Sequence, residues 1–335
     1  MHKFAARRLL LFLLAGGLCL TALSTAGASG QEAIPQPPEE EAGLWNPLAF
    51  PVEESGPEET LWISPLLARE ELSWEQQWAL AGRMEREPDL LDRLEQGALS
   101  SGELVVLALP NARTDRLDRY LAWIEAHPED TAENTVFSVN ADRDQAFYSA
   151  VSEIGDPADL AVLVNKHCAL PADYVPELEV LGAGYGYGSL RPEAAQAFRA
   201  MADGAREEGV SLRSVSAYRS YAGQKGTYNN YLKRYKRSVV DTFSARPGHS
   251  EHQTGLALDI NAASSRAHFE NTEAFAWLKE HCAEYGFILR YDQGKEDITG
   301  YRFEPWHYRY VGVDIAKAVM EQGLAYEEYL ALLPG

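Results

Sequence analysis

Gly255-Leu-Ala-Leu-Asp-Ile-Asn261 alternates apolar with small or polar residues, one for one. A period of two predicts a β-strand, with Leu256, Leu258 and Ile260 entering a core and Ala257, Asp259 and Asn261 on the other face. The small Ala257 leaves room beside Asp259, and His252, just before the strand, can reach the same side. Further along the chain stands Glu304-Pro-Trp-His307. In a regular strand Glu304 and His307, three apart, face opposite sides. Pro305 removes a ladder donor, which favours a bulge or a loop-to-strand transition that lets the two side chains converge. Taken singly, His252 and Asp259 read as a loop histidine and a strand end. With the second cluster they supply two imidazoles and a carboxylate for a metal, and Glu304 as a further carboxylate. A catalytic zinc site takes three protein ligands and keeps a fourth position for water. The extra carboxylate is what a hydrolase needs to move that water's proton.

Around this stretch the pattern mixes elements. Pro192 opens a helix whose apolar face is Ala194, Ala195, Phe198, Met201, Ala202 and Ala205. Leu212 to Arg219 alternates as a strand that would place Arg213, Val215, Ala217 and Arg219 on one face. Ser220 is a candidate cap for a following helix with Tyr228, Tyr231, Leu232 and Tyr235 on one side. Phe275, Leu278 and Cys282 mark another helix, closed by Gly286. Helices and strands alternate without regular β-α-β spacing. The expected fold is therefore α+β, a mainly antiparallel sheet with flanking helices holding the zinc site, over residues 131–335.

Residues 61–130 read as a small helical region of unassigned role, with a capping box at Ser73-Trp-Glu-Gln76 and an amphipathic stripe of Leu117, Tyr120, Leu121 and Ile124. Residues 29–60 read as a Pro/Glu-rich linker. In residues 1–28, Lys3, Arg7 and Arg8 precede an apolar run from Leu9 that ends near Ala26-Gly-Ala28. That order predicts a secretion signal, with a retained membrane anchor as the alternative, and an extracytoplasmic protein in both cases.

The chain of 335 residues has a formal net charge of −20. The excess lies in front: residues 29–155 hold 26 acidic and 8 basic residues, against 24 and 19 from 156 onward. Such a chain makes a poor partner for nucleic acid or anionic lipid. The basic group Lys225, Lys233, Arg234, Lys236 and Arg237 reads as a solvated helix end. Beyond the leader only Cys168 and Cys282 remain, too few for a stapled scaffold, so the core must hold the fold; both read as small buried residues. His249 points elsewhere on an extended chain, and His167, His268 and His281 read as surface or satisfied structural histidines.

Ser250-x-His252-x-x-Gly255-x-Ala257-x-Asp259 together with Glu304-x-x-His307 resembles the VanY-type D-alanyl-D-alanine carboxypeptidases, part of a wider group with lysostaphin-type endopeptidases and the zinc domain of hedgehog proteins. The similarity continues in Leu163-Val-Asn-Lys166, Leu170-Pro-Ala-Asp-Tyr174, Tyr218-Arg-Ser-Tyr221 with Gln224, and His307-Tyr-Arg-Tyr-Val-Gly312, over roughly residues 131–320. It implies His252, Asp259 and His307 as ligands of Zn2+ and Glu304 as the catalytic acid/base. It further implies that Arg219 grips the terminal carboxylate of a peptidoglycan stem peptide, helped by Gln224 and Ser250. A guanidinium fork suits a carboxylate, so such a site would select a free C-terminus. The resulting expectation is a monomeric zinc carboxypeptidase that removes the terminal D-Ala of peptidoglycan stems. The alternatives are an L,D-carboxypeptidase or endopeptidase of the same fold, and a non-catalytic zinc-containing wall-binding domain; an intact Glu304 and ligand set speak against the last.

Overall fold

A computed structural model describes residue 66 and residues 69–261 and 268–335. The expected leader and linker, residues 1–60, lie outside the described residues. No helix among the described residues is long and apolar enough to cross a membrane.

The chain divides into two units, one up to Pro110 and one from Asn111 onward. The first is helical: Trp74–Arg86, Pro88–Glu95 and Ser101–Leu107 bury Leu80, Met84, Leu90, Leu94, Leu104 and Leu107 against one another. The Ser73/Gln76 capping box is present, and Ser100 with Glu103 forms another. The boundary falls inside the region 61–130 read from sequence as one helical piece. Helices Leu117–Ala126 and Ala132–Asn140 belong to the second unit, where Asn140 Nδ2 donates to the Ala331 carbonyl of the last helix (3.3 Å).

The second unit contains strands β1 (Ser152–Glu153), β2 (Cys168–Ala169), β3 (Glu179–Val180), β4 (Ser189–Leu190), β5 (Arg213–Ser216), β6 (Ala257–Asn261), β7 (Phe287–Leu289) and β8 (His307–Tyr310). The four longest form an antiparallel sheet in the order β5-β6-β8-β7. The alternation in β6 has the expected consequence on one face. Leu256, Leu258 and Ile260 join Tyr308, Phe287 and Leu289 in a core closed by the Pro192–Glu207 and Glu273–His281 helices. The six residues read as the apolar face of Pro192–Glu207 are all buried. Removing such a face from water, at ~25 cal/mol per Å² of apolar surface, is the dominant favourable contribution to folding here.

The opposite face is covered as well. Ile288 packs with Val311, just past β8, and with Ala316, Val319 and Tyr326 from the two C-terminal helices Val313–Gln322 and Tyr326–Leu332. All five residues of β6 are consequently buried, so its polar side chains sit in a closed layer and must find partners there.

β5 departs from the sequence reading. Its register slips between Ser214 and Ser216, leaving an irregularity at Val215. One extra residue switches the face that follows it. Val215 is exposed while Ala217 is buried, and Arg213, Val215, Ala217 and Arg219 do not share a face. Ser220 does cap the Tyr221–Leu232 helix, its Oγ accepting from the Gly223 amide (3.2 Å). Tyr228 is buried, but Tyr231 and Tyr235 are exposed, so only part of that helix's aromatic side faces inward. Cys168 and Cys282 are free thiols, Cys282 buried and Cys168 half-buried.

Candidate active site

β6 and β8 bring Asp259 directly opposite His307. Cross-strand partners put their Cβ atoms about 5 Å apart on the same face, so this single register fixes two of the three expected ligands. His252 comes from the 3-10 turn Glu251–Thr254, which ends at Gly255 in the left-handed region (φ 70°). A Cβ there would lie 3.1 Å from the Arg191 side chain and 3.2 Å from Pro176. Gly255 therefore serves both the reversal into β6 and the close packing against it.

The ligand atoms converge. Asp259 Oδ1 lies 3.5 Å from His252 Nε2 and 3.4 Å from His307 Nδ1. All three residues are buried, with one ligand atom from each within 4.8 Å of the others. Bonds of 2.0–2.1 Å in a tetrahedron place neighbouring ligand atoms about 3.4 Å apart, which is the spacing of Asp259 Oδ1 from each histidine nitrogen here. Two imidazoles and one carboxylate also match the donor chemistry of zinc.

The remaining ring nitrogens are tied down. His252 Nδ1–H donates to the Ala217 carbonyl (2.8 Å), leaving Nε2 as the free base. His307 Nε2–H donates to Glu251 Oε2 (3.2 Å), leaving Nδ1 toward Asp259. Such partners set the tautomer and aim of a ligand ring. Glu251, adjacent to His252, was not singled out from sequence. It is fully enclosed, accepting from Arg290 Nε (2.8 Å) and Arg309 Nη1 (3.1 Å). Arg309 stands two residues from His307 on the same strand face, so its side chain was readable by the period of two; Arg290, just past β7, offers no comparable signal.

These contacts shape the protonation states. Burial would raise the Glu251 pKa, but the charges of Arg290 and Arg309 outweigh it and hold the carboxyl far below its usual range. Burial likewise opposes ionisation of Asp259, and the two histidines override it. Burial pulls His252 down, against Asp259. His307 is also penalised by burial, yet the hydrogen bonds its ring donates to Asp259 and Glu251 push it up to about 9. The two carboxylates thus favour the protonated His307 ring in the metal-free site.

Glu304 and His307 are the ends of a turn in which the His307 amide donates to the Glu304 carbonyl (3.0 Å). Pro305 and Trp306 fill its corners, the transition into β8 that the sequence called for. Glu304 is buried, and its charge helps raise the pKa of Tyr291 and Tyr301, whose burial is the larger cause. The Tyr291 ring lies 4.9 Å from that of His307. Tyr308 turns to the apolar core, and Trp306 and Tyr310 pack against its edge.

Arg219 adjoins the ligand turn, its amide donating to the His252 carbonyl (3.0 Å) and its charge lowering the His252 pKa. Its Nη1 donates to Gln224 Oε1 and its Nη2 to Ser216 Oγ, both at 2.8 Å. Gln224, buried, donates in turn to the Ala245 carbonyl (2.6 Å). Ser250, also buried, precedes the turn that carries His252. His249 stands apart, its Nδ1–H donating to the Asn165 carbonyl (2.7 Å). His167 differs from expectation: it is buried against Phe147, and its Nδ1 lacks a hydrogen-bond partner. His268 is exposed, and His281 pairs with Glu284.

Residues 188–313 match the profile of the VanY D-alanyl-D-alanine carboxypeptidase family. The chain is 39% identical over 212 residues to YodJ of Bacillus subtilis (strain 168), covering 59% of this chain and 77% of YodJ. It belongs to the VanY family. An Enterococcus faecalis D-alanyl-D-alanine carboxypeptidase is 38% identical over 193 residues, covering 54% of this chain and 70% of that protein. Among solved structures, the LdcB LD-carboxypeptidase superposes with a TM-score of 0.53 at 38% identity, covering 55% of this chain and 92% of that one. The VanY family is one of carboxypeptidase hydrolases, and its matched segment contains all three cluster residues together with Arg219 and Glu304.

Proposed function

We propose that this chain is a zinc-dependent D-alanyl-D-alanine carboxypeptidase that removes the terminal D-Ala from peptidoglycan stem peptides outside the cytoplasm. The supporting observation is the spacing of His252 Nε2, Asp259 Oδ1 and His307 Nδ1, which fits tetrahedral zinc with one position left over. Family membership supplies the reaction class, and the charged, apolar and small-residue order of residues 1–28 supports the location.

Zinc bound there would activate water at its open position and polarise the scissile carbonyl. The protein's own groups do the rest. Glu304, one turn from His307, accepts the proton of the attacking water and passes it to the departing amine. Arg219, fixed by Ser216 and Gln224, pairs with the substrate's C-terminal carboxylate and sets the last peptide bond against the cluster. The burial of His252, Asp259, Glu304 and His307 lowers the local dielectric, which strengthens each of these charge interactions.

A second reading, an L,D-carboxypeptidase acting on tetrapeptides, is favoured by the likeness to LdcB. Mass spectrometry of soluble muropeptides separates the two: conversion of pentapeptide to tetrapeptide supports the first, and tetrapeptide to tripeptide the second. Amidated substrate and Arg219→Ala should each lose about 2–5 kcal/mol of transition-state binding, and non-additively together. Additive losses would show that Arg219 does not read the carboxylate.

A further inference from the structure

Behind His307 runs a chain of buried charges that ends outside the segment matching the family profile. Glu251 holds His307 Nε2–H, and Arg290 joins Glu251 to Glu327 on the C-terminal helix Tyr326–Leu332. Arg290 Nη1 and Nη2 donate to Glu327 Oε2 (2.8 Å) and Oε1 (2.7 Å), a bidentate pair, while its Nε serves Glu251. Asn165 Nδ2 donates to Glu327 Oε1 (3.3 Å). Arg309 completes the layer, with Nη1 on Glu251 and Nη2 on the carbonyls of Leu160 and Val162. Glu251, Arg290 and Arg309 are at most 1% exposed, and Glu327 is 3% exposed.

Two guanidinium groups and two carboxylates balance in this layer. Without Glu327, Arg290 would keep only Glu251 as a charged partner, and one uncompensated positive charge would lie a single residue from the His307 ring. That charge would disfavour a dication at His307 Nδ1. It would also draw Glu251 toward Arg290, weakening the hold on His307 Nε2–H. We propose that Glu327 is a positioning residue for the metal ligand His307, acting through Arg290 and Glu251. The proposal rests on the zinc reading above and extends the ligand's support onto the C-terminal helix.

Glu328, the next residue, separates positioning from helix stability. It accepts from Lys295 Nζ and from the Ala325 amide at the start of the same helix, both at 2.7 Å, so its charge is paired with Lys295 while Glu327 takes Arg290. The zinc Kd of the full chain would be measured by competition with a chromogenic chelator, alongside Tm of the zinc-free protein. Glu327→Gln should weaken zinc several-fold, less than the ~10–100-fold lost with a group that touches the ligand itself, because Glu251 and Arg290 stand between. Glu327→Asp, which keeps the charge, should recover most of that loss. Glu328→Gln should lower Tm and leave the zinc Kd unchanged. If Glu327→Gln lowers Tm alone, or Glu327→Asp is as weak as Gln, the proposal is wrong and the zinc reading survives. If Glu327→Gln does not fold, Asn165→Ala removes the donor to Glu327 with every charge in place, along with the Oδ1 acceptor of the His167 and Cys168 amides, whose loss Tm reads. A several-fold weaker zinc Kd then supports the proposal, and an unchanged one overturns it. A wild-type chain that binds no zinc overturns both.

Discussion

The paired strands β6 and β8 bury two faces of opposite chemistry. On one, Leu258, Ile260 and Tyr308 interlock with helix side chains; on the other, Asp259 meets His252 and His307, while His307 and Arg309 meet Glu251. The apolar face is held by non-directional burial, which tolerates small changes of shape at modest cost. The polar face has no such latitude. Each charge there has lost its water and is held by named partners, so removing one strands another. A period of two thus lets the same backbone carry both the stability of the fold and the chemistry of the site.

The largest expected effect touches the chemistry alone. Glu304→Gln should retain zinc and fold while kcat falls about 10²–10⁴-fold, the range of a lost proton-transfer group. Turnover near the wild-type rate would make Glu304 structural. Next comes the polar face's own stability: Arg290→Ala leaves Glu251 and Glu327 short of a buried partner and should cost about 3–5 kcal/mol in denaturant unfolding. Ile260→Val, on the apolar face of the same strand, should cost only about 0.5–1.5 kcal/mol. Equal losses from the two would erase the distinction between the faces.

A subtler test concerns protons. His307 has its metal-free pKa pushed up to about 9, above the ordinary histidine value. Its protonated form therefore adds stability to the zinc-free protein that is complete below pH ~6.5 and lost as pH rises through about 9. Zinc needs the neutral ring, so at pH ~7.5 binding should release close to one proton per ion from this histidine. Calorimetry in buffers of differing ionisation enthalpy measures that number; a value near zero would mean that His307 is already neutral.

Much of this arrangement was legible in the sequence, for reasons particular to each element. β6 was readable because Leu256, Leu258 and Ile260 alternate without a break, and the Pro192 helix because its apolar positions keep a period near 3.6. The convergence of His252, Asp259 and His307 was readable from residue types that seldom coincide by chance. β5 was misread because the irregularity at Val215 leaves no mark in a run that still alternates. The ionic layer was missed because a buried Arg290 or Glu327 looks the same in sequence as one in solvent. Glu327 and Glu328 are identical neighbours on a short helix, and only the packing decides which meets Arg290.

The account turns on whether the polar face of β6 and β8, with the preceding turn, is a metal centre. Zinc content of the purified full chain tests this most directly, compared with His252→Ala, Asp259→Ala and His307→Ala. The prediction is close to one equivalent in the wild type and a sharp fall in each variant, with the folded state retained by circular dichroism. Unchanged stoichiometry in all three variants would contradict it.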